Sequence, residues 1–144
     1  MNPLLFLSQA QRLAASAAEE DWRSATSRAY YAAFHIACAF MTNLGFTVPN
    51  AERAHAYLWL RLQNCGDAGV RQAGFLLNDL RRHRNQADYD LHRSFSHARA
   101  LVDTQDAETM IQILDSVAEP ARTQVMNAMK DCERLVLQDV TWHP

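Results

Sequence analysis

Apolar positions recur every three or four residues along nearly the whole chain, the spacing of helices that each bury one stripe. Leu4, Leu7, Ala10 or Gln11, and Ala14 make the first stripe and predict a helix over about Pro3 to Ala18. Pro3 is tolerated in a first helical turn. A second helix is expected over about Asp21 to Leu44, with Gly45 as its stop. It has two separable faces. Trp22, Ala25, Ala29, Ala32, Ala33, Ile36 and Phe40 form one, rich in small residues that let another helix approach closely. Arg28, Tyr31, His35 and Cys38 form the other, a row holding a cation, a phenol and an imidazole. A helix covered on both faces belongs at the centre of a bundle. Thr47 to Asn50 reads as a loop, Ala51 to Asn64 as a shorter third helix, and Cys65 to Gly69 as a turn.

The fourth stripe changes character along its length. On a helix over about Val70 to Tyr89, residues Val70, Ala73, Leu77, Leu80, Arg84, Ala87 and Asp88 fall within about 100° of arc. Arg84 and Asp88 therefore continue an apolar face, one turn apart, with Asn85 and Tyr89 beside them. Asp90 to Phe95 breaks the pattern. Ser96 to Val117 is the next helix, with Ala100, Leu101, Ala107, Met110, Ile111 and Leu114, and Ala121 to Val140 the last. The pattern leaves open whether Pro120 divides two helices or kinks one, so five helices are expected if it only kinks. There is no internal repeat, low-complexity tract or linker. The expectation is a single domain over residues 1–144, an all-α, up-and-down four- or five-helix bundle.

Composition agrees with long helices: 49% of residues are hydrophobic, and Gly and Pro number only four each. No stretch reaches the roughly 18 uncharged apolar residues that span a bilayer. The N-terminal segment lacks a basic leader and reads as an amphipathic helix, so a cytoplasmic protein that makes no membrane contact is expected. Cys38, Cys65 and Cys132 include no CxxC pair and are expected as buried free thiols. His and Cys are not clustered at ligand spacing, so neither a metal site nor a cofactor is expected.

Charge is unevenly spread. The net charge is −2, yet Arg81 to Arg99 holds five Arg against two Asp, with His83, His92 and His97 in the same segment. Asp103 to Asp139 holds eight acidic residues against three basic ones. Such a chain does not coat nucleic acid indiscriminately; it offers a local basic patch for an anion or an RNA backbone. Thirteen of the fourteen basic residues are Arg, the side chain suited to bidentate phosphate contact.

Two blocks, in this order and about forty residues apart, carry a resemblance: "SRAYYAAFHIACAFMTNLGF" (Ser27 to Phe46) and "RNQADYDL" (Arg84 to Leu91). Together they resemble the HEPN domain family of prokaryotic helical proteins, over most of the chain, from the first helix to about Val117. The resemblance implies a four- or five-helix bundle, usually a homodimer with its two motifs facing each other. Many members are metal-independent endoribonucleases of toxin–antitoxin and defence systems. Others bind nucleotides or dock on a partner nucleotidyltransferase. Catalytic members carry Arg, a polar residue and then His after four to six intervening residues. Arg84 and Asn85 match the first two. The His does not carry over: Tyr89, Asp90 and Leu91 occupy the three allowed positions, and His92 lies one residue too late.

RNA cleavage through the 2′-hydroxyl needs a base near neutral pH and a cation on the developing phosphate charge. Arg84 supplies the cation. A Tyr such as Tyr89, with an ordinary pKa of about 10, is a poor base unless that value is strongly lowered; Asp88 would serve if desolvation raised its pKa, although pairing with Arg84 opposes this. His35 and His92 are the other candidates. Arg84, Asn85, Asp88 and Tyr89 are thus the candidate catalytic residues, and Arg28, Tyr31, His35, Arg81, Arg82 and His92 the candidate RNA- or nucleotide-binding ones. Two functions follow as expectations. One is an RNA-binding toxin or defence effector, with metal-independent endoribonuclease chemistry. The other is a non-catalytic module that binds a nucleotide, or docks on and is modified by a cognate nucleotidyltransferase or antitoxin.

Overall fold

The computed structural model describes residues 1–50 and 52–144. Among them there are six α-helices and no sheet: α1 Leu4–Ala14, α2 Glu19–Asn43, α3 Arg53–Gln63, α4 Ala68–Tyr89, α5 His97–Asp115 and α6 Ala121–Cys132, with a wider π-helical turn, Glu133–Leu137, after α6. The protein is an all-α bundle. Ala51, the expected first residue of α3, lies outside the described residues.

Helix α2 is central and packs against α1, α4 and α5. Its buried residues are mostly small: Ala25, Ala29, Ala32, Ala33 and Ala37, with Tyr30 and Met41 as the large ones. Alanines keep the neighbouring backbones close, so Leu7, Leu58, Leu62, Leu77, Leu80, Met110 and Leu114 close one core around this helix. Helix α3 lies chiefly on α4. A Cβ at Gly74 would meet Gln63 N and Leu62 Cβ at 2.9 Å, so only glycine lets the end of α3 rest on the α4 backbone.

Helix ends differ from the sequence expectation where side chains capture backbone. Helix α1 stops at Ala14, four residues early. The Ser16 hydroxyl donates to Asp21 Oδ2 at 2.5 Å, and its carbonyl accepts from Trp22 Nε1 at 2.7 Å, so the expected helical residues after Ala14 form a connection. Helix α4 starts at Ala68, two residues early, because the Asp67 side chain accepts from Val70 N. Leu101, expected on the buried stripe of α5, is exposed, and Asp103 and Thr104 occupy the inner face there.

The largest correction concerns the C-terminus. Pro120 divides two helices, and α6 ends at Cys132 instead of continuing to Val140. Gln138, at φ 52°, reverses the chain. Residues 139–143 then run back as a strap over the end of α2: Thr47 N donates to Thr141 O at 2.9 Å, His143 N to Gly45 O at 2.9 Å, and Trp142 Nε1 to Leu44 O at 3.0 Å. Gly45 has φ 101°, and a Cβ there would lie 2.8 Å from Trp142 Nε1. The strap is held from below by Glu133, fully buried, whose carboxylate accepts from Arg61 Nε at 2.8 Å, Thr141 N at 2.9 Å and Trp142 N at 3.2 Å.

Candidate functional site

The last two turns of α4 follow directly on its leucines. Leu77 and Leu80 are buried, and one turn beyond Leu80 the same face presents Arg84, only 14% exposed. Its neighbours across the interface are α2 aromatics. Arg84 Nη1 donates to Asn85 Oδ1 at 2.8 Å and Nη2 donates to the Tyr31 hydroxyl. Its Cζ lies 5.1 Å from the Tyr31 ring centroid, 5.6 Å from Tyr89 and 5.8 Å from Tyr30, within cation–π range of all three. Nε is 3.3 Å from Asp88 Oδ2, an ion pair without hydrogen-bond alignment, so this buried donor has no hydrogen-bond partner. Burial disfavours the Arg84 charge, but the Tyr31 hydrogen bond and the nearby Tyr31, Tyr89 and Asp88 outweigh it and push its pKa up. Asp88 also accepts from the Ser27 hydroxyl at 3.2 Å.

The end of α4 is fixed from α2. The Arg23 guanidinium donates to the carbonyls of Ala87 at 2.9 Å, Asp90 at 3.1 Å and Arg93. Carbonyls that a helix terminus leaves unpaired are thus satisfied by one side chain.

Arg81, one turn before Arg84, uses Nη2 on Asn78 Oδ1 at 3.2 Å, and its buried Nε has no partner. Opposite stands the start of α3. Glu52, His55 and Ala56 line, with Arg81, Arg84, Asn85 and Tyr89, a cleft of about 410 Å³. Behind it the Tyr30 hydroxyl, brought by α2, hydrogen-bonds His55 Nδ1. Burial drives the Tyr30 phenol far above its ordinary pKa, against the opposing charges of Arg84 and Arg81. Burial also lowers the His55 pKa below the ordinary 6.5, reinforced by Arg84 and Arg81 and opposed by Glu52. The uncharged imidazole is thereby favoured.

Of the residues singled out in the sequence, Arg81, Arg84, Asn85 and Tyr89 line this cleft. Tyr31 and Asp88 brace Arg84. Arg28 and His35 pack on the Phe6 ring of α1, outside the cleft. Arg82 is exposed and pairs with Asp79. His92 is exposed in the loop after α4 and is not among the lining residues. His83 turns to the other side of α4, where its Nδ1 meets Oδ1 of the fully buried Asp103 at 2.8 Å, while Asp103 Oδ2 accepts from Thr26 Oγ1 at 2.8 Å. That cluster ties α2, α4 and α5 together.

Two cleft residues, Glu52 and His55, escaped the sequence reading. His55 stands three residues before the buried Leu58, at the flank of the α3 stripe. Nothing in the spacing tells which helix that flank faces.

Two other clefts, of about 410 and 470 Å³, border the C-terminal strap. Arg61, the buried cation of the larger one, is engaged by Glu133 and by Asp139 Oδ2 at 3.2 Å, and Lys130 of the smaller one lies over the Trp142 ring. Among the described residues no three His, Cys, Asp or Glu side chains are grouped to hold a metal ion, and no helix is long and apolar enough to cross a membrane. The three cysteines are free, and burial pushes the Cys38 thiol up to about 11, away from reactivity.

No curated protein and no solved structure matches the chain. A model of the HEPN domain does match, over residues 5–124, which takes in α1 to α5, the first turn of α6 and every residue that lines the Arg84 cleft. The chain belongs to the HEPN domain family.

Proposed function

We propose that this protein is an RNA-directed HEPN protein of the toxin–antitoxin or defence type. In this reading it acts in the cytoplasm as a homodimer and binds RNA through a phosphodiester seated between Arg81, Arg84 and Asn85. The observation that carries the reading is the donor set of the cleft. Two guanidiniums stand one turn apart and line the same cleft with the Asn85 carboxamide, whose oxygen is already engaged by Arg84, leaving its N–H groups as donors. A backbone phosphate satisfies such a set. In the dimer, two copies double the positive charge offered to the RNA.

Strand cleavage in the same cleft is attack of the RNA 2′-oxygen on phosphorus with loss of the 5′-oxygen. Arg84 is suited to the charge that develops on the phosphoryl oxygens. The 2′-proton needs an acceptor, and Glu52 is the lining carboxylate.

The test compares wild type with Arg84→Ala on total RNA and tRNA in EDTA, reading affinity and mapping new ends. The variant should remain helical and lose binding roughly ten- to a hundredfold, the scale of one or two charge-assisted hydrogen bonds. Arg84-dependent ends would add metal-independent ribonuclease activity to the binding. Equal affinity of the two proteins would sink the reading.

A second reading rests on Tyr89, which is 74% exposed and whose hydroxyl makes no hydrogen bond among the described residues, although its ring lies beside Arg84. In a non-catalytic module this phenol is the acceptor of a nucleotidyl group from a partner nucleotidyltransferase. Co-expression with the neighbouring gene product, followed by mass spectrometry, would give an adduct lost in Tyr89→Phe. Unmodified protein that forms no complex counts against it.

A further inference from the structure

The imidazole of His55 is the part of the cleft that neither the family motif nor the sequence pattern supplies. It arrives from α3, 29 residues before Arg84 in the sequence, and the structure constrains which of its nitrogens carries the proton. Tyr30 is buried, and His55 Nδ1 is the one hydrogen-bond partner of its hydroxyl among the described residues. A phenol has one hydrogen to donate. If Nδ1 carried the imidazole proton, the Tyr30 hydrogen would be left buried without an acceptor, a state folded proteins avoid. The phenol therefore donates to Nδ1. In a neutral imidazole the remaining proton then sits on Nε2, the ring nitrogen left for the cleft.

We propose that His55 is a phosphate-binding residue of the cleft, held by Tyr30 in the Nε2–H tautomer so that it donates a hydrogen bond to the RNA backbone as a neutral group. This deepens the RNA-binding reading and rests on it. The groups that face His55 are Arg81 and Arg84 from α4, Tyr30 and Phe34 from α2, and Glu52 at the start of α3. Burial and the two guanidiniums keep the ring uncharged, with Glu52 opposing them. Two consequences follow. His55 adds a directional donor without adding charge to a site that already holds two cations. It also has no lone pair facing the cleft, so it does not take the proton of the 2′-hydroxyl.

The experiment uses the full chain with ¹⁵N-labelled histidine and a 2′-O-methyl oligoribonucleotide, which binds as RNA but lacks the attacking hydroxyl. At pH 7 the His55 signals should show Nδ1 as an acceptor and Nε2 as the protonated nitrogen, with the Nε2–H resonance moving on oligonucleotide binding. His55→Phe should weaken binding about tenfold, and His55→Gln, which keeps a donor, should recover most of it; circular dichroism checks that each variant is folded. Protonation at Nδ1, or His55→Phe binding like wild type while Arg84→Ala binds weakly, overturns this inference and leaves the RNA-binding reading standing. Failure of wild type to bind the oligonucleotide at all removes both.

Discussion

The run Arg81–Arg82–His83–Arg84 shows how little a charge cluster says until it is wound onto a helix. At 100° per residue, neighbours diverge and residues three apart reconverge. Arg81 and Arg84 accordingly share the cleft, Arg82 stands in solvent against Asp79, and His83 turns to Asp103. The position of Arg84 was legible for this reason: it extends a stripe whose earlier members are leucines. His55 was not legible, because its placement depends on a hydrogen bond with Tyr30, 25 residues earlier on another helix. Arg84 also shows why charge alone is insufficient. Its guanidinium serves Asn85, Tyr31 and Asp88 in different directions, a fork that an ammonium cannot reproduce. Arg84→Lys should therefore fail to rescue the Arg84→Ala binding defect. It should also lower stability by about 1–2 kcal/mol in urea denaturation, the scale of one or two lost hydrogen bonds. Full rescue by Lys would mean that the site reads charge and not geometry.

At the scale of elements, periodicity located α2, α4 and α5 because each buries a long stripe, and it placed their contacts in one bundle. It failed after Cys132. Leu135 and Val136 continue the apolar spacing of α6, yet they are 67% and 71% exposed. The backbone leaves the helix there because the buried Glu133 carboxylate takes Thr141 and Trp142 from a returning chain. A carboxylate bonded to residues eight and nine positions later leaves no mark on a helical wheel. The strap lies outside the residues that match the HEPN domain. It bears on Tyr57 and Arg61 of α3, the helix that carries His55. Removing one partner of a buried ion pair costs about 3–5 kcal/mol, so Glu133→Ala should lower the melting temperature markedly. The pH dependence has a definite sign. Burial would raise the Glu133 pKa, but its bonds from Thr141 and Arg61 outweigh this and hold it below the ordinary 4.5. Its contribution is therefore present above that ordinary value and is lost as pH falls through the folded one. Wild type should lose stability over that acid range more steeply than Glu133→Gln. Parallel curves would show that the carboxylate does not hold the strap.

For the whole molecule the question is what a chain of net charge −2 does with a basic cleft. Acidic residues dominate from Asp103 to Asp139, while Arg81 and Arg84 converge on one hollow. The surface as a whole repels a polyanion and one site attracts it, so binding should be local, with few ions released. Each neutralised phosphate contributes roughly −0.7 to the slope of log affinity against log salt for a single strand. With one phosphate seated between Arg81 and Arg84, one copy gives a slope of about −0.7, and a dimer that engages one strand with both clefts about twice that. The slope thus counts clefts. It also separates the two kinds of contact in the site. Arg81→Ala should weaken binding and flatten the slope, since a cation is lost. His55→Phe should weaken binding and leave the slope unchanged, since a neutral donor displaces no counterion. Fluorescence anisotropy with a short single-stranded RNA between about 50 and 200 mM salt measures both at once, the range over which the counterion effect is large. A slope that flattens in His55→Phe would mean that the imidazole binds as a cation, and the Tyr30 hydrogen bond would then have to be read with its proton on the other side.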